Sequence, residues 1–456
     1  MEHFDAIIIG FGKGGKTLAS MLAKQGLRVA LIEKSAEMYG GTCINIGCIP
    51  TKSLVHLSSE RRLSSISKEQ FYKNAIEQKD ELTSFLRDKN FHMLDDLAGA
   101  TVYTGTATFL DDSKIQVKTS SETFELSADG FFINTGSSPI TPPIDGLEKA
   151  DFVYNSTSLQ QLDQLPKKLV IIGGGYIGLE FASIYANFGS EVTVIDSSAE
   201  FLRNEDRDIA EEVKKVLEAK NITIVIDSQV KSIANRDGGV VVSYRTGNSD
   251  HKEAFGNALL LATGRKPNTE GLGLENTSVE VNDRGAIVVD DALKTTANHI
   301  WALGDVNGGP QFTYISLDDF RIVKDQLVGA GNYTRKKRNN VPYSVFIDPV
   351  LSQVGLNEKM AQEKGVAYKV VTLPAAAIPR ARIVQQTDGL LKALIDPNTK
   401  EILGCTLFCA ESSEMINVVR VAMEAKLPYT FLRDTIFTHP TMSEALNDLF
   451  SVSIDE

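Results

Sequence analysis

The chain has only four cysteines and one tryptophan in 456 residues. So few cysteines exclude a small disulfide-scaffolded protein, because such folds need several bridges in a short chain. No apolar run approaches the ~20 residues that span a bilayer, and the N-terminus, MEHFDAIIIG, lacks the basic segment of a signal peptide. The net charge of −12 disfavours a nucleic-acid partner. We therefore expect a cytoplasmic protein with neither nucleic acid nor membrane as a partner.

The length and an internal repeat indicate several domains, because 456 residues exceed the usual size of one core. Residues 5–34 and 168–197 each contain an apolar strand, a G-x-G-x-x-G turn, a helical pattern and a second apolar strand that ends in an acid. The acid lies at the same distance from the first glycine in both copies. The first copy has Gly10, Gly12, Gly15 and Glu33, and the second has Gly173, Gly175, Gly178 and Asp196.

This arrangement is typical of dinucleotide binding. Glycines allow the backbone to approach a pyrophosphate at a helix N-terminus, and the acid accepts a hydrogen bond from a ribose hydroxyl. A single G-x-G-x-x-G is weak evidence, since glycines also serve ordinary turns. Two complete units in the same order predict two dinucleotide sites, one for a tightly held cofactor and one for an exchanging cofactor.

Two of the cysteines, Cys43 and Cys48, lie in GGTCINIGCIPTK, residues 40–52. A regular helix would place them about 7.5 Å apart along its axis, beyond the roughly 4.4–6.8 Å between Cα atoms that a disulfide needs. A bridge therefore requires a loop that leads into a helix, which the flanking glycines permit. A helix N-terminus and the nearby Lys52 would lower a thiol pKa. Two buried free cysteines remain the alternative.

This segment resembles the redox-disulfide motif of the class I pyridine nucleotide–disulfide oxidoreductases, which include glutathione reductase, lipoamide dehydrogenase and mercuric reductase. The resemblance extends over essentially the whole chain. Asn134 replaces an alanine in the first of the other matching segments. These segments are INTGSSP (133–139), LATGRKPN (261–268), IWALGDV (300–306) and FTHPTMSEAL (437–446).

The resemblance implies a glutathione-reductase-like α/β fold, with two Rossmann-like doubly wound dinucleotide-binding domains and a C-terminal α+β dimerisation domain. Residues 1–150 are expected to form the FAD domain and residues 151–272 the NAD(P)H domain. Residues 273–341 are expected to complete the FAD site as a central domain, and residues 342–456 to form the dimer interface.

The resemblance also implies a role for each catalytic residue. NAD(P)H would reduce FAD, which would reduce a Cys43–Cys48 disulfide. Cys48 would be the thiolate beside the flavin, and Cys43 the exposed interchange thiol, expected to have a low pKa. Lys52 would lie near the flavin N5 atom, held by Glu180.

The C-terminal motif supplies the acid and base. His439, oriented by Glu444, would serve the Cys43 thiol. In this family the histidine reaches the site of the other subunit, so a homodimer is implied.

The residues implied in cofactor binding belong to both repeats. We expect NADH rather than NADPH, because the Asp196 carboxylate would repel a 2′-phosphate, although Arg203 lies close in sequence. The complete set is Gly10, Gly12, Gly15, Glu33, Thr42, Lys52, Gly136, Asp305, Gly173, Gly175, Tyr176, Gly178, Glu180, Asp196 and Gly264.

A narrower resemblance is to the reactive-chlorine-resistance flavoreductases, which include hypothiocyanous acid reductases. The segments that carry it include IIIGFGKGGKTLA, QFTYISLDDFRIV, VPYSVFIDP and LPAAAIPRARI. It implies that the substrate is a small oxidant, hypothiocyanous acid or copper(II). The alternatives are a dihydrolipoamide dehydrogenase or another organic-disulfide reductase, and a non-catalytic flavin-bound interaction protein.

Three further features need an interpretation. Cys405 and Cys409 lie on one predicted strand about 13 Å apart, so they cannot pair with each other and we expect them to be buried. His56 lies one helical turn after Lys52 and can face the site or solvent. The basic run TRKKRNN, residues 334–340, is interpreted as a solvated linker between domains.

Overall fold

The computed structural model describes residues 1–247 and 251–451. The strands of its first half are β1 (Glu2–Ile9), β2 (Val29–Glu33), β3 (Ala100–Thr104), β4 (Thr106–Asp111), β5 (Lys114–Lys118), β6 (Thr123–Ile133), β7 (Ser137–Pro139), β8 (Val153–Asn155), β9 (Lys168–Ile172), β10 (Glu191–Ile195) and β11 (Ile222–Val225). Those of the second half are β12 (Ser228–Arg236), β13 (Gly239–Thr246), β14 (His251–Gly256), β15 (Ala258–Leu261), β16 (Arg265–Pro267), β17 (Ile300–Ala302), β18 (Tyr343–Val345), β19 (Leu351–Gly355), β20 (Lys369–Pro374), β21 (Leu390–Ile395) and β22 (Ile402–Phe408).

The α-helices alternate with these strands. They are α1 (Lys13–Lys24), α2 (Thr42–Asn45), α3 (Cys48–Glu60), α4 (Lys68–Asp95), α5 (Tyr176–Phe188), α6 (Arg207–Ala219), α7 (Thr313–Val328), α8 (Glu358–Glu363), α9 (Pro379–Ile383), α10 (Ser412–Glu424), α11 (Tyr429–Asp434) and α12 (Ala445–Ser451). No helix in the described ranges is long and apolar enough to cross a membrane.

The first glycine repeat belongs to a seven-stranded sheet with the order β3-β2-β1-β6-β5-β4, in which β17 also pairs with β6. β1 lies between β2 and β6 and is parallel to both. The last four residues of β1, Ala6 to Ile9, are all buried, as is typical of a parallel strand covered on both faces. Part of the segment that is expected to complete the FAD site packs on this unit, because β17 extends the sheet and α7 packs against α1.

The second glycine repeat builds a separate sheet with the order β11-β10-β9-β15-β8, in which every pairing is parallel. A three-stranded antiparallel sheet, β12-β13-β14, follows in the chain. The short strands β7 and β16 pair antiparallel and connect the two nucleotide-binding units.

The C-terminal unit is an antiparallel sheet with the order β18-β19-β22-β21-β20, against which α10 and α12 pack. Cys405 lies on β22, Cys409 follows it, and both are buried, as expected. The two doubly wound units and this α+β unit confirm the predicted fold class.

A buried lysine attaches the C-terminal sheet to the second nucleotide-binding unit. Lys392 on β21 forms ion pairs with Asp206 (3.1 Å), Asp208 (2.9 Å) and Glu358. Its side chain is almost completely buried, so removal of the ammonium would leave three carboxylates facing one another. The contact stabilises the packing of α6 and α8 against the sheet.

Candidate active site

A cavity of about 1200 Å³ lies where the two nucleotide-binding units meet the start of the C-terminal unit. Its volume exceeds the 300–1000 Å³ typical of small-molecule pockets, which suits an elongated cofactor together with a substrate. Eleven predicted site residues line it: Gly10, Gly12, Glu33, Thr42, Cys43, Cys48, Lys52, Gly136, Tyr176, Glu180 and Asp305.

The first glycine loop approaches the end of β6 closely. Gly10 has φ +102°, and a Cβ there would lie 2.4 Å from the carbonyl oxygen of Asn134. Glu33, at the end of β2, accepts a hydrogen bond from the backbone N–H of Phe11 (3.0 Å). Burial raises the pKa of Glu33, against the effect of this hydrogen bond. Gly10, Gly12 and Glu33 all line the cavity, so the glycine loop and the acid that a dinucleotide requires both face it.

The side chain of Asn134 helps to hold the first glycine loop in place, a role that the sequence did not indicate. Its Oδ1 accepts from the backbone N–H of Gly15 (2.9 Å), and its Nδ2 donates to the carbonyl of Leu303 (2.6 Å). The hydroxyl of Ser316 on α7 accepts from the backbone N–H of Gly14 (3.1 Å). An alanine at position 134 could make neither of the amide hydrogen bonds, so the departure from the family pattern has a physical purpose.

The sequence predicts that the two cysteines lie on a loop that leads into a helix; in the structure the first of them lies in a single helical turn and the second begins the next helix. Cys43 lies in α2, Cys48 is the first residue of α3, and both are half-buried with free thiols. Cys48 Sγ lies 3.2 Å from the hydroxyl oxygen of Thr313, the first residue of α7. The N-termini of two helices therefore meet at Cys48, where their partial positive charge favours a thiolate.

The two thiols have opposite pKa shifts. A hydrogen bond from the Cys43 thiol lowers the pKa of Cys48 to about 6, with help from Thr313 and Lys52 and against the effect of burial. The same hydrogen bond, together with burial, raises the pKa of Cys43. The expectation of a low pKa for Cys43 is therefore wrong for the reduced pair, because the first proton to leave comes from Cys48.

An ion pair between Lys52 and Glu180 joins α3, the helix that begins at Cys48, to α5 of the second glycine repeat. Lys52 Nζ lies 2.7 Å from Glu180 Oε2, and Glu180 Oε1 accepts from the backbone N–H of Phe346 (2.9 Å). Lys52 Nζ also lies 4.9 Å from the centre of the Phe346 ring. The two residues meet in the cavity, as the sequence analysis expects.

Asp305 also lines the cavity, where it belongs to a buried polar cluster with Ser137 and Arg265. Its Oδ2 accepts from the Ser137 hydroxyl (2.7 Å), whose oxygen accepts from Arg265 Nε (2.9 Å). Burial raises the pKa of Asp305, partly offset by the Ser137 hydrogen bond and by Arg265. Arg265 also lines the cavity, and sequence reasoning missed it because only the fold brings it to Asp305.

The basic run at residues 334–340 is not wholly the solvated linker that the sequence predicts. Arg338 lies in the cavity wall with a side chain only 12% exposed. Its Nε lies 2.7 Å from Asp318 and its Nη2 lies 2.5 Å from Asp319. Asp319 in turn accepts from the backbone N–H of Gly304 (2.7 Å). Arg338 therefore holds the turn that presents Asp305.

The second glycine loop lies outside the lining of this cavity. Gly173 has φ +110°, and a Cβ on Gly178 would lie 2.0 Å from the Gly173 carbonyl oxygen. Asp196 follows β10 and accepts from the backbone N–H of Ser198 (3.2 Å). Gly175 begins α5 as its N-cap.

Two other residues that are predicted to bind the cofactor differ in their position relative to the cavity. Gly264, with φ +109°, precedes β16. Tyr176 does line the cavity, and its hydroxyl donates to the buried Glu205 (2.8 Å), which also accepts from Tyr343 (2.7 Å).

The histidine pair is assembled away from the cavity. His439 Nδ1 lies 2.8 Å from Glu444 Oε2, and the histidine side chain is 71% exposed. Neither residue is among those that line the cavity within the described chain. His56 is also exposed, beside Glu60, and does not line it. One chain therefore unites the dithiol with Lys52 and Glu180 but not with His439.

The chain belongs to the pyridine nucleotide-disulphide oxidoreductase family. The family of that description matches residues 4–319, and its dimerisation domain matches residues 341–450. Membership implies FAD and a pyridine nucleotide as cofactors, and the open glycine loop, Glu33 and Asp305 in a large cavity fit a flavin dinucleotide. The chain is a flavoprotein disulfide oxidoreductase.

Individual relatives match over nearly the full length. The probable pyridine nucleotide-disulfide oxidoreductase RclA of Escherichia coli (strain K12) is 51% identical over 452 residues, which cover 99% of this chain and 100% of that protein. The solved Cu(II) complex of the HOCl-induced flavoprotein disulfide reductase RclA from Escherichia coli has a TM-score of 0.94 at 50% identity and covers 99% of both chains. A mercuric reductase of Lysinibacillus sphaericus is 34% identical, covering 98% of this chain and 82% of that protein.

Replacement of Arg338 tests its support of the cofactor site. We expect Arg338→Met to release flavin at a temperature lower by roughly 5 °C or more, because two buried carboxylates lose their cation. The measurement is flavin fluorescence during heating. The control is Lys336→Met in the same basic run, where an exposed lysine pairs with Asp291 and a change within about 1 °C is expected. Equal release temperatures for both variants would contradict the role of Arg338.

Proposed function

We propose that this chain is an NADH-dependent reductase of a small oxidant, most favourably hypothiocyanous acid, and acts in defence against reactive chlorine and related oxidants. The observation that carries the proposal is the dithiol, whose two thiols have opposite pKa shifts and lie in the cavity that the first glycine loop, Lys52 and Asp305 also line. The similarity to an HOCl-induced flavoprotein disulfide reductase supports the class of oxidant.

The chain divides the work between its two cysteines. FAD, when bound, accepts a hydride from the nicotinamide and supplies two electrons to the Cys43–Cys48 disulfide. Reduction of the disulfide by two electrons and one proton yields the Cys48 thiolate and the Cys43 thiol, which is the protonation that the pKa shifts favour. Lys52, Thr313 and two helix N-termini hold the Cys48 anion in place.

The substrate then reacts at Cys43. The Cys43 sulfur attacks the electrophilic sulfur of hypothiocyanous acid, loses its proton and displaces hydroxide, which leaves as water. The Cys48 thiolate attacks the resulting sulfenyl thiocyanate, and thiocyanate leaves as the disulfide closes. NADH and hypothiocyanous acid thus become NAD⁺, water and thiocyanate. The cysteines do not proceed to irreversible oxidation states.

Because the pKa of Cys43 is raised, its attack needs a base. We assign this role to His439, held by Glu444, from the partner subunit of a homodimer. The match to a dimerisation domain supports this assignment. So does Ile436, three residues before His439, whose side chain is 98% exposed in the single chain.

Copper(II) is a second candidate substrate, because the similar Escherichia coli protein was solved as a Cu(II) complex. Among the described residues, two groups of acids or histidine have the spacing to hold a metal ion. One of them, Asp206, Asp208 and Glu358, already surrounds the Lys392 ammonium. The other, His92, Asp95 and Asp96, is exposed. As a substrate, two Cu(II) ions would take the two electrons that the dithiol releases on closing its disulfide, and would leave as Cu(I).

The nucleotide preference tests the role of Asp196. We expect kcat/KM for NADH to exceed that for NADPH by at least about tenfold, because the carboxylate would repel the 2′-phosphate. Asp196→Ser should narrow this ratio, and Arg203→Met should leave it unchanged. The measurement is steady-state kinetics with both nucleotides. A wild-type preference for NADPH would contradict the assignment.

The two cysteine variants should differ in their spectra. Cys43→Ser should show a long-wavelength charge-transfer band without any reductant, because Cys48 stays a thiolate beside the flavin, and Cys48→Ser should show none. The thiolate exists only above the pKa of Cys48, which Thr313 and Lys52 still lower in this variant, so the band should fade as the pH falls. The measurement is an absorbance titration from pH 8 to pH 5. A band in Cys48→Ser alone would reverse the two roles.

The substrate is tested by NADH consumption with a single oxidant at a time. Wild type should turn over hypothiocyanite faster than lipoamide or glutathione disulfide, and Cys43→Ser should lose at least about a hundredfold, since the attacking thiol is gone. Copper(II) forms a parallel arm. Faster turnover of lipoamide would favour a dihydrolipoamide dehydrogenase, and no turnover of any oxidant would favour a non-catalytic flavin-bound protein.

A further inference from the structure

The segment from Gly40 to Gly47, here called the redox loop, contacts a buried lysine that has no role in the proposed mechanism. Lys16 is the fourth residue of α1 and is only 4% exposed. Its Nζ donates to the carbonyl oxygen of Gly40 (3.2 Å) and to Oδ1 of Asn90 on α4 (2.5 Å). Gly40 is three residues before Cys43, so the ammonium is hydrogen-bonded to the backbone of the loop that carries the interchange thiol.

The counter-charge of this ammonium is not a carboxylate. Among the described residues, no Asp or Glu oxygen forms an ion pair with Lys16, whereas the buried Lys392 has three such partners. A buried cation is costly unless an anion or several hydrogen bonds compensate it. Two neutral oxygens compensate Lys16 only in part, which leaves it an electrostatic need for a nearby negative charge.

The group that can supply this charge is Cys43. Burial lowers the pKa of Lys16 to about 8, Lys13 on the same helix acts in the same direction, and Cys43 opposes both. In the other direction, Cys48 and burial raise the pKa of Cys43, whereas Thr313 and Lys16 lower it. Apart from their effect on each other, Lys16 and Cys43 have their pKa values shifted most, among charged groups, by Lys13 and Cys48 respectively.

We propose that Lys16 is a positioning residue for the interchange thiol: its buried ammonium holds the redox loop at Gly40 and favours the thiolate form of Cys43. The inference rests on the proposed function only in that Cys43 is the thiol that meets the substrate. Lys52 serves Cys48 and Lys16 serves Cys43, so each sulfur has its own cation. Lys16 would limit the work that the base must do when the Cys43 proton leaves.

The test is a titration of Cys43 in the FAD-loaded Cys48→Ser background, where the second thiolate is absent. The rate of alkylation by iodoacetamide is followed against pH, and the product is assigned to Cys43 by peptide mass. We expect Lys16→Gln to raise the apparent pKa of Cys43 by about one unit, since the thiolate loses a buried cation that stabilises it. Lys16→Arg, which keeps the positive charge, should leave the pKa at or below that of the parent.

Two further variants make the result decisive. Lys24→Gln removes an exposed charge from the end of the same helix and should not move the pKa. Lys16→Met replaces Lys16→Gln if the latter does not bind FAD. An unchanged pKa in the neutral variants, an equal rise in Lys24→Gln or an equal rise in Lys16→Arg would overturn the proposal. The titration contains neither NADH nor oxidant, so its outcome is independent of hypothiocyanite turnover by wild type, which tests the proposed function.

Discussion

The architecture depends on one buried amide, the side chain of Asn134. It joins the first glycine loop at Gly15 to the end of β17 at Leu303, segments separated by nearly three hundred residues in sequence. Ser316 also holds the loop at Gly14, and Asp319 holds the turn at Gly304, but Asn134 joins the loop and the turn directly. Two hydrogen bonds with fixed geometry set their separation.

The redox chemistry depends on the position of this same turn, because α7 begins just after it. Thr313, the first residue of α7, contacts Cys48, the first residue of α3. The hydrogen bond from Cys43, with the contact of Thr313 and the charge of Lys52, makes Cys48 the first of the two thiols to ionise. The neighbouring Cys43 must then keep its proton, because two anions at hydrogen-bonding distance are costly. On the proposed assignment of roles, the arrangement separates the thiolate beside the flavin from the thiol that reacts with substrate.

Much of the fold was predictable because its signals are local. Strand, glycines, helix and acid occur in order within thirty residues, so the two Rossmann-like units could be recognised from spacing alone. The contacts of Arg338 could not be recognised in this way. In sequence it lies in a basic run typical of a solvated surface, and only the return of α7 to the first sheet places Asp318 and Asp319 beside it. The low pKa expected for Cys43 was wrong for a related reason, since the ionisation of a coupled pair depends on both environments.

The His439–Glu444 pair forms within one chain but does not line the cavity that holds the dithiol. The carboxylate already orients the imidazole within one chain, so the pair needs no partner to form, but it does need one to reach a thiol. In the single chain, the exposed Ile436 presents apolar area to water. The exposed His439 nearby is oriented by Glu444 but does not line the cavity, so it has no thiol to serve there. Both features become useful if a second copy covers Ile436 and places His439 at Cys43. On the proposed assembly, hydrophobic burial at the interface would therefore complete each active site, and dimerisation and catalysis would depend on the same residues.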